Sequence, residues 1–402
     1  MDSGSRSGAD AAATLWAPDA GASSVSDAGA AASPDGGPLT CRLESSAQAV
    51  KLVGFQQEFE LADLTAGDGN IAFAYSWNRM VRKLRIVEAA TGKELADEVL
   101  TNLDGKAIPR ALDYAGGRFF VAANFDDTTS AFYPYTRVAY YDGLGAAKEW
   151  SQQDDFLAVS AVREKSGGRI LALGKVVATG EQPVYVNRFD LFGGLVDSSE
   201  LGRNARKYNE WDLEWRQAED SGMACGLIFR DGTDSLAVWP MAPDAAPNPV
   251  RTTLDLAATT DQPSFGCRIS LGNALAAVAV ADGVGGARLV WLGLDGSTLA
   301  GPVPFSAFKR AVKYDVAVSG RVTALAHLDE STGAPRVAVK IFPSPAEAPI
   351  ELFAEADLNL GTFDFLGRRV RLARIDGGFA VAFDASIKLG QTDLYLRRIL
   401  CQ

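Results

Sequence analysis

The chain has 402 residues, of which 47% are apolar and 22% charged, a composition typical of folded globular proteins. Its 39 Lys and Arg residues against 50 Asp and Glu residues give a formal net charge of −11, which disfavours binding to nucleic acid and to anionic membranes. The longest purely apolar run, Ala274 to Ala281, is far shorter than the roughly 18 residues of a membrane helix. We therefore expect no nucleic-acid partner and no transmembrane segment.

The N-terminal region reads as a flexible tether. The first ten residues, MDSGSRSGAD, lack the basic and apolar parts of a secretory signal, so the protein is either cytosolic or without its signal in this chain. A run rich in Ala, Gly, Ser, Asp and Pro follows as far as Pro38, and such a run buries too little apolar surface to fold. We predict a disordered tether over residues 1–40, a single folded domain over residues 41–402, and an extracytoplasmic location in the periplasm or at the cell surface.

Four cysteines mark the folded part. Cys41 is at the start of this part and Cys401 is the penultimate residue of the chain, while Cys225 and Cys267 lie between them. No pair or cluster of these residues with histidine has the spacing of a zinc site, so disulfides fit better and no metal or cofactor is expected. Cys41–Cys401 is the first predicted bond. Cys225–Cys267 is the second, with two free buried thiols as an equally good interpretation.

A turn followed by an apolar strand recurs along the chain at steps of about 50 residues. Each repeat has a Gly-containing turn, an alternating apolar run such as IAFAYSW or RILALGK, a loop, and a second run such as KLRIVEA or PVYVNRFD. The turns lie near Gly67, Gly116, Gly167, Gly222, Gly272, Gly320 and Gly377. Glycine permits the backbone angles that tight hairpins need, so each repeat predicts an antiparallel meander.

Seven such meanders predict an all-β fold, a seven-bladed β-propeller of four-stranded antiparallel blades, with six or eight blades as alternatives. The last repeat ends on its third strand, DLYLRRIL, and the segment from Cys41 to Val53 is the spare strand. We expect this N-terminal strand to close the ring, which removes an exposed sheet edge and brings Cys41 beside Cys401.

With its leader and degenerate repeats, the chain resembles the secreted or lipid-tethered β-propeller proteins of Gram-negative bacteria. The resemblance covers most of the chain. The signatures of WD40 repeats and of sialidase Asp boxes are missing, and the Gly-Gly pairs precede the second strand instead of following it as in kelch repeats. The resemblance therefore implies a fold and an envelope location, and no site residue is carried over from a named family.

Most catalytic motifs are absent. The sequence has no serine-hydrolase elbow, P-loop, zinc-protease motif or complete dinucleotide fingerprint. His327, the only histidine, alternates with Thr323 and Leu325 in a strand, which favours a structural or surface role over a catalytic one. A carboxylate-dependent enzyme needs only two acidic groups, and the adjacent pairs Asp126-Asp127 and Asp329-Glu330 are candidates.

The connections between second and third strands and those between blades are longer than the glycine turns, so we expect the face on which they open to carry recognition. Aromatic and basic residues there are typical of binding sites. The candidate binding residues are Trp77, Arg79, Tyr133, Tyr135, Tyr208, Lys309, Arg310, Arg368 and Arg369. Arg371 and Arg374 extend the last group, which either binds an anion in the central channel or pairs with nearby Asp and Glu.

These features lead first to a non-enzymatic binding or scaffold protein of the cell envelope that recognises a protein or glycan partner. The alternative is a carboxylate-dependent carbohydrate hydrolase or lyase.

Overall fold

The computed structural model describes the part of the chain in which the repeats lie. The described residues are 39–45, 49–52, 59–77, 81–99, 107–115, 118–125, 136–142, 146–153, 159–165, 169–175, 183–190, 195–202, 211–216, 221–230, 233–241, 252–256, 266–281, 286–305, 314–329, 336–355, 365–388 and 391–402. Within them the chain forms 29 strands and no helix. The all-β prediction is confirmed.

Two N-terminal strands precede the repeats, and four-stranded antiparallel sheets follow in chain order. The N-terminal strands are β1 (Cys41–Leu43) and β2 (Val50–Leu52). Sheet 1 contains β3 (Phe59–Gly67), β4 (Asn70–Trp77), β5 (Val81–Glu88) and β6 (Glu94–Val99). Sheet 2 contains β7 (Ala107–Ala115), β8 (Arg118–Phe125), β9 (Thr136–Asp142) and β10 (Ala146–Gln153). Sheet 3 contains β11 (Val159–Lys165), β12 (Arg169–Lys175), β13 (Val184–Asp190) and β14 (Leu195–Gly202).

The second half repeats this arrangement. Sheet 4 contains β15 (Asp212–Arg216), β16 (Ser221–Arg230), β17 (Thr233–Met241) and β18 (Thr252–Leu256). Sheet 5 contains β19 (Gly266–Leu271), β20 (Ala276–Ala281), β21 (Ala287–Leu292) and β22 (Thr298–Phe305). Sheet 6 contains β23 (Tyr314–Ser319), β24 (Val322–Asp329), β25 (Arg336–Phe342) and β26 (Ile350–Phe353). Sheet 7 contains β27 (Phe365–Ile375), β28 (Gly378–Lys388) and β29 (Gln391–Cys401), with β1 and β2 both paired to β29.

The first strand of each sheet, called here its inner strand, contacts the inner strand of the next sheet. These contacts run through β3, β7, β11, β15, β19, β23 and β27, and β27 also contacts β3. Buried apolar clusters lie between neighbouring sheets, as where Phe73 of sheet 1 packs with Leu394 of sheet 7. This packing of sheet faces around a ring of inner strands is the architecture of a β-propeller.

The N-terminal strand is joined to sheet 7 by pairing and by a disulfide. Cys41 lies opposite Cys401 in the β1–β29 ladder, and the two residues form a disulfide. Backbone hydrogen bonds between Thr40 and Gln402, each 2.9 Å, extend this pairing by one residue. Arg398 binds the carboxylate of Glu44 from the same segment. The edge of β29 is therefore covered over two short stretches.

The second predicted disulfide is also present. Cys225 of β16 bonds to Cys267 of β19, which links sheet 4 to sheet 5. The alternative of two free thiols is therefore wrong, and the described residues contain no free cysteine. Two disulfides fit a location outside the cytoplasm. The described part of the chain has no helix that is long and apolar enough to be a membrane span.

Candidate functional site

The described residues include only part of the predicted binding surface. Trp77 ends β4, where it pairs with Val81, and Arg368 lies on β27. The backbone N–H of Arg369 donates to Asp384 Oδ1 at 3.1 Å. The remaining candidates lie outside the described residues, so their role in binding stays a prediction: Arg79, Tyr133, Tyr135, Tyr208, Lys309 and Arg310. Asp126, Asp127 and Glu330 lie outside them as well.

Three inner strands use an aspartate to bind the next sheet. Asp63, Asp212 and Asp315 accept hydrogen bonds from backbone N–H groups of the following inner strand, at 2.7, 2.9 and 2.8 Å. The three donors are Leu112, Ile269 and Leu372. For Asp212 and Asp315 the second carboxylate oxygen accepts the N–H of the next residue in the chain, at 2.9 Å in both cases. Both oxygens of these two carboxylates are thus engaged by the backbone.

On two further inner strands, the residue just before the N–H donor is an arginine. Arg268 and Arg371 directly precede Ile269 and Leu372, and both are buried. The order around the ring from sheet 4 to sheet 1 is therefore Asp212, Arg268, Asp315, Arg371 and Asp63, an alternation of sign that we call the charge row. Burial raises the pKa of Asp315, while Arg371 and Arg268 oppose this rise.

The charge row accounts for one arginine of the basic cluster in the last repeat, Arg371. Arg371 Nε lies 3.6 Å from Asp63 Oδ1 and 3.2 Å from the carbonyl oxygen of Ala62. Of the two interpretations for this arginine, pairing with acidic residues is the one that the structure supports. Arg374 is exposed near the glycine turn of sheet 7. The row has members in five sheets, and through the hydrogen bond of Asp63 to Leu112 it also reaches sheet 2.

A second polar group lies on sheet 1 and consists of Tyr75, Lys83, Arg85, Glu94 and Asp97, which we call the Tyr75 cluster. Asp97 Oδ1 accepts a hydrogen bond from the Tyr75 hydroxyl at 3.0 Å. Asp97 Oδ2 accepts bonds from Lys83 Nζ at 2.7 Å and from Arg85 Nη2 at 3.1 Å. Arg85 Nη1 lies 3.1 Å from Glu94 Oε2. Two cations and a hydroxyl thus converge on one carboxylate.

The strand register places Tyr75 and Lys83 near the connection between β4 and β5, whereas Glu94 pairs with Val87 at the opposite end of β5. Tyr75 pairs with Lys83 two residues from the end of β4, and Arg85 pairs with Asp97 of β6. Tyr75 and Lys83 therefore lie at the end of the sheet that we expect to carry recognition, close in the ladder to Trp77. Lys83, Arg85 and Asp97 have 17%, 16% and 18% of their side chains exposed. Solvent therefore reaches all three.

The pKa shifts of two members of the cluster keep Asp97 ionised and Tyr75 protonated at neutral pH. Burial opposes ionisation of Asp97, but the hydrogen bonds from Lys83 and Arg85 outweigh burial and lower its pKa below the ordinary value. Burial is the main cause that raises the pKa of Tyr75, so its hydroxyl stays protonated at neutral pH. The cluster offers hydroxyl, ammonium and guanidinium donors around a fixed carboxylate, an arrangement suited to binding sugar hydroxyl and carboxylate groups.

Sheet 7 carries a related group at its corresponding end. Lys51 Nζ lies 2.9 Å from Asp393 Oδ2, and the Tyr395 hydroxyl lies 3.3 Å from the same oxygen. The hydrogen bond to Asp393 is the main cause that raises the pKa of Lys51, and burial is the main cause that raises the pKa of Tyr395. Because Lys51 belongs to β2, this group also holds the N-terminal segment on β29.

His327 has the structural setting that its sequence pattern predicts. Its ring is 1% exposed and lies 5.4 Å from the ring of Phe305. Burial, with a smaller effect of Lys340, lowers its pKa from 6.5 to about 4. Among the described residues no group of three or more His, Cys, Asp or Glu side chains is arranged to hold a metal ion.

No family model matches this chain, and no curated protein matches it. Solved structures do match. An ulvan lyase from a new family of polysaccharide lyases is 9% identical, with a TM-score of 0.53 over 88% of this chain and 95% of its own. A second structure of such a lyase, bound to -[GlcA(1-4)Rha3S]-, is 9% identical, with a TM-score of 0.52 over 83% and 92%. The β-propeller domain of the trilobed protease from Pyrococcus furiosus is 9% identical, with a TM-score of 0.45 over 82% and 91%. The chain is a β-propeller.

The comparisons correct the leading prediction of a non-enzymatic binding or scaffold protein. Two of the similar structures, with TM-scores of 0.53 and 0.52, are polysaccharide lyases, so the findings agree better with the carbohydrate-active alternative than with the leading prediction. The prediction went wrong because the missing histidines, metal ligands and nucleophile motifs were taken as a sign of no catalysis. Carbohydrate chemistry also proceeds with carboxylate, tyrosine and basic side chains, and these do not form a short motif.

Proposed function

We propose that this chain is a carbohydrate-active enzyme that cleaves a polysaccharide. The observation that carries the proposal is the Tyr75 cluster, in which a tyrosine, a lysine and an arginine surround a partly exposed carboxylate near the connection between β4 and β5. The likeness to the ulvan lyases supports the class of substrate, since polysaccharides are what those proteins act on. In this proposal the cluster binds the sugar.

We further propose that the seven sheets are the blades of a seven-bladed ring, closed where β1 and β2 complete sheet 7. The contact between β27 and β3 and the disulfide at the β1–β29 pairing support this closure. Residues 1–40 form a tether in this proposal, and residues 41–402 form one domain. The two disulfides support placement in the periplasm or at the cell surface, where polymeric glycans are accessible.

A cleavage assay tests the proposed activity. The full chain is incubated with acidic polysaccharides (polygalacturonate, alginate, ulvan) and with neutral ones (arabinan, dextran). Reducing ends together with ultraviolet absorbance from an unsaturated sugar identify a lyase, and reducing ends without that absorbance identify a hydrolase. Either result supports the proposal. Folded protein that releases no product from any member of the panel overturns it.

A matched pair of variants links the activity to the cluster. Lys83 and Lys340 each lie on the third strand of a sheet and pair with a carboxylate on the fourth strand. Lys83→Gln is expected to lower cleavage at subsaturating substrate, because it removes a donor from the cluster, and Lys340→Gln is expected to leave cleavage unchanged. Equal effects of the two substitutions contradict the assignment of the site.

A further inference from the structure

Arg85 contacts two carboxylates, which differ in solvent exposure and in the number of groups that bind them. Asp97 accepts hydrogen bonds from Tyr75, Lys83 and Arg85, and 18% of its side chain is exposed. Glu94 contacts Arg85 with one oxygen at 3.1 Å, and 51% of its side chain is exposed. Because exposed ion pairs contribute little stability, Glu94 is the partner that leaves easily, whereas Asp97 is held by three donors.

The Nη1 atom of Arg85, which contacts the half-exposed Glu94, is the donor available for exchange with a ligand. The Nε atom of Arg85 is buried and has no hydrogen-bond partner among the described residues. A guanidinium presents its N–H groups in a planar fork that matches a carboxylate, so two parallel bonds form to one ligand group. Lys83 lies beside this fork, since both residues bind the same Asp97 oxygen. A carboxylate that replaced Glu94 would bind the same Nη1 atom of Arg85.

We propose that Arg85 anchors a subsite for the carboxylate of a uronic-acid residue, and that Glu94 occupies this subsite when no sugar is bound. The substrate is then an acidic polysaccharide whose carboxylate replaces Glu94 on Arg85. The inference rests on the proposed carbohydrate-active function and adds the chemical class of the sugar and an internal group that competes with it. Glu94 acts as a positioning residue for Arg85 in the free protein.

Two substitutions with opposite expected effects test this subsite. Binding of polygalacturonate oligomers of defined length to the full chain is measured by calorimetry at low ionic strength. Glu94→Gln removes the competing carboxylate and is expected to tighten binding about two- to fivefold, the range that corresponds to an exposed ion pair. Arg85→Gln is expected to weaken binding about tenfold or more, and Arg85→Lys, which keeps the charge without the fork, is expected to fall between Arg85→Gln and the unchanged chain.

Glu351→Gln is the matched control, because Glu351 is also an exposed acid on a fourth strand, 3.7 Å from the third-strand Lys340. It is expected to leave binding unchanged. Unchanged or weaker binding after Glu94→Gln overturns the subsite, as does equal tightening by Glu351→Gln. Because Glu94 is exposed, its variant keeps the test informative even if Arg85→Gln unfolds the protein.

The failure of this inference differs from failure of the proposed function. If the protein cleaves only neutral polysaccharides, and neither the unchanged chain nor the Glu94→Gln variant binds polygalacturonate, the enzymatic function stands and the uronate subsite is wrong. Protein that binds polygalacturonate with the expected order of variants but cleaves nothing keeps the subsite and loses the enzymatic function.

Discussion

His327 shows how burial can dominate the charge state of a side chain. The residue is the only histidine in the chain and is 1% exposed. Since its folded-state pKa is about 4 and its ordinary value is 6.5, the folded protein binds fewer protons than the unfolded chain between these two pH values. The contribution of His327 to the free energy of unfolding is therefore fully present above pH 6.5. It decreases as the pH falls toward 4, by about 3 kcal/mol in total.

A single histidine makes this prediction direct to measure. The ring signals in a nuclear magnetic resonance titration are expected to move with a midpoint near pH 4. In chemical unfolding, His327→Leu is expected to reduce the loss of stability between pH 7 and 4.5. A midpoint near 6.5 in the folded protein contradicts the buried, neutral histidine.

Asp315 has the most connected position in the charge row. Its oxygens accept N–H groups from Val316 and from Leu372 of the next sheet, and Arg268 and Arg371 are close enough to affect its pKa. Asp315→Ala leaves a buried N–H group and two buried arginines with less compensation, so we expect a loss of about 2–4 kcal/mol in the free energy of unfolding. The exposed Asp376 serves as a control, and Asp376→Ala is expected to change stability by less than about 0.5 kcal/mol. Similar effects of both substitutions contradict a linking role for the row.

Single residues also mark the limit of sequence-based prediction. Lys83 and Arg85 alternate in an apolar strand, and this pattern was a usable signal for a polar cluster. Their convergence with Tyr75 on Asp97 depends on the register between β4, β5 and β6, which periodicity does not determine. The sequence did predict the structural role of His327, because its strand neighbours are apolar.

At the scale of strands, sheet 4 shows how large and small residues are matched across a ladder. Trp211 and Trp215 flank Leu213, and all three are buried, as their alternation predicts. Trp215 pairs with Gly222 in the adjacent strand. A Cβ atom added to Gly226 would lie 2.3 Å from the Trp211 ring. The absence of side chains on these glycines therefore makes space for the indole rings.

This packing predicts a coupling that a double-mutant cycle measures. Gly226→Ala is expected to destabilise the protein by about 2 kcal/mol, because the added methyl group clashes with Trp211 in a closely packed core. In a Trp211→Leu background the same change is expected to cost much less, since the ring is gone. Additive effects of the two substitutions in chemical unfolding contradict the contact.

The strands themselves were largely predictable. Glycine turns and alternating apolar runs predicted the second and third strands of each repeat, and their pairing in antiparallel sheets is observed. The aspartates that connect the inner strands were not anticipated, because they are separated by about one repeat from the N–H groups they bind. Such long-range side-chain contacts have no local sequence signature.

At the scale of the whole molecule, the two disulfides constrain very different lengths of chain. Cys41 and Cys401 are 360 residues apart, whereas Cys225 and Cys267 are 42 apart. The chain-entropy model assigns about 5–6 kcal/mol to the longer closure and about 4 kcal/mol to the shorter one. The longer one also holds β1 on the edge of β29, and an uncovered edge pairs with other chains.

We therefore expect the double substitution Cys41→Ala and Cys401→Ala to lower the melting temperature more than Cys225→Ala and Cys267→Ala together. Light scattering is expected to show association only for the first pair. Greater loss of stability without association for the second pair contradicts the idea that the terminal disulfide protects the sheet edge.

The overall architecture followed from the repeat period and from the cysteine at each end, and the function did not. A propeller places its sites where connections from several sheets meet, and the residues of such connections share no fixed spacing. The leading functional prediction was wrong for this reason, although the repeats on which it was built were assigned correctly.

The most direct test of a carbohydrate-active propeller with a uronate subsite is a crystal structure with a bound polygalacturonate oligomer. We predict a sugar carboxylate within hydrogen-bond distance of the Arg85 guanidinium, Asp97 still bound to Tyr75, and Glu94 turned toward solvent. An ordered oligomer elsewhere on the molecule, with Glu94 still paired to Arg85, would contradict this account.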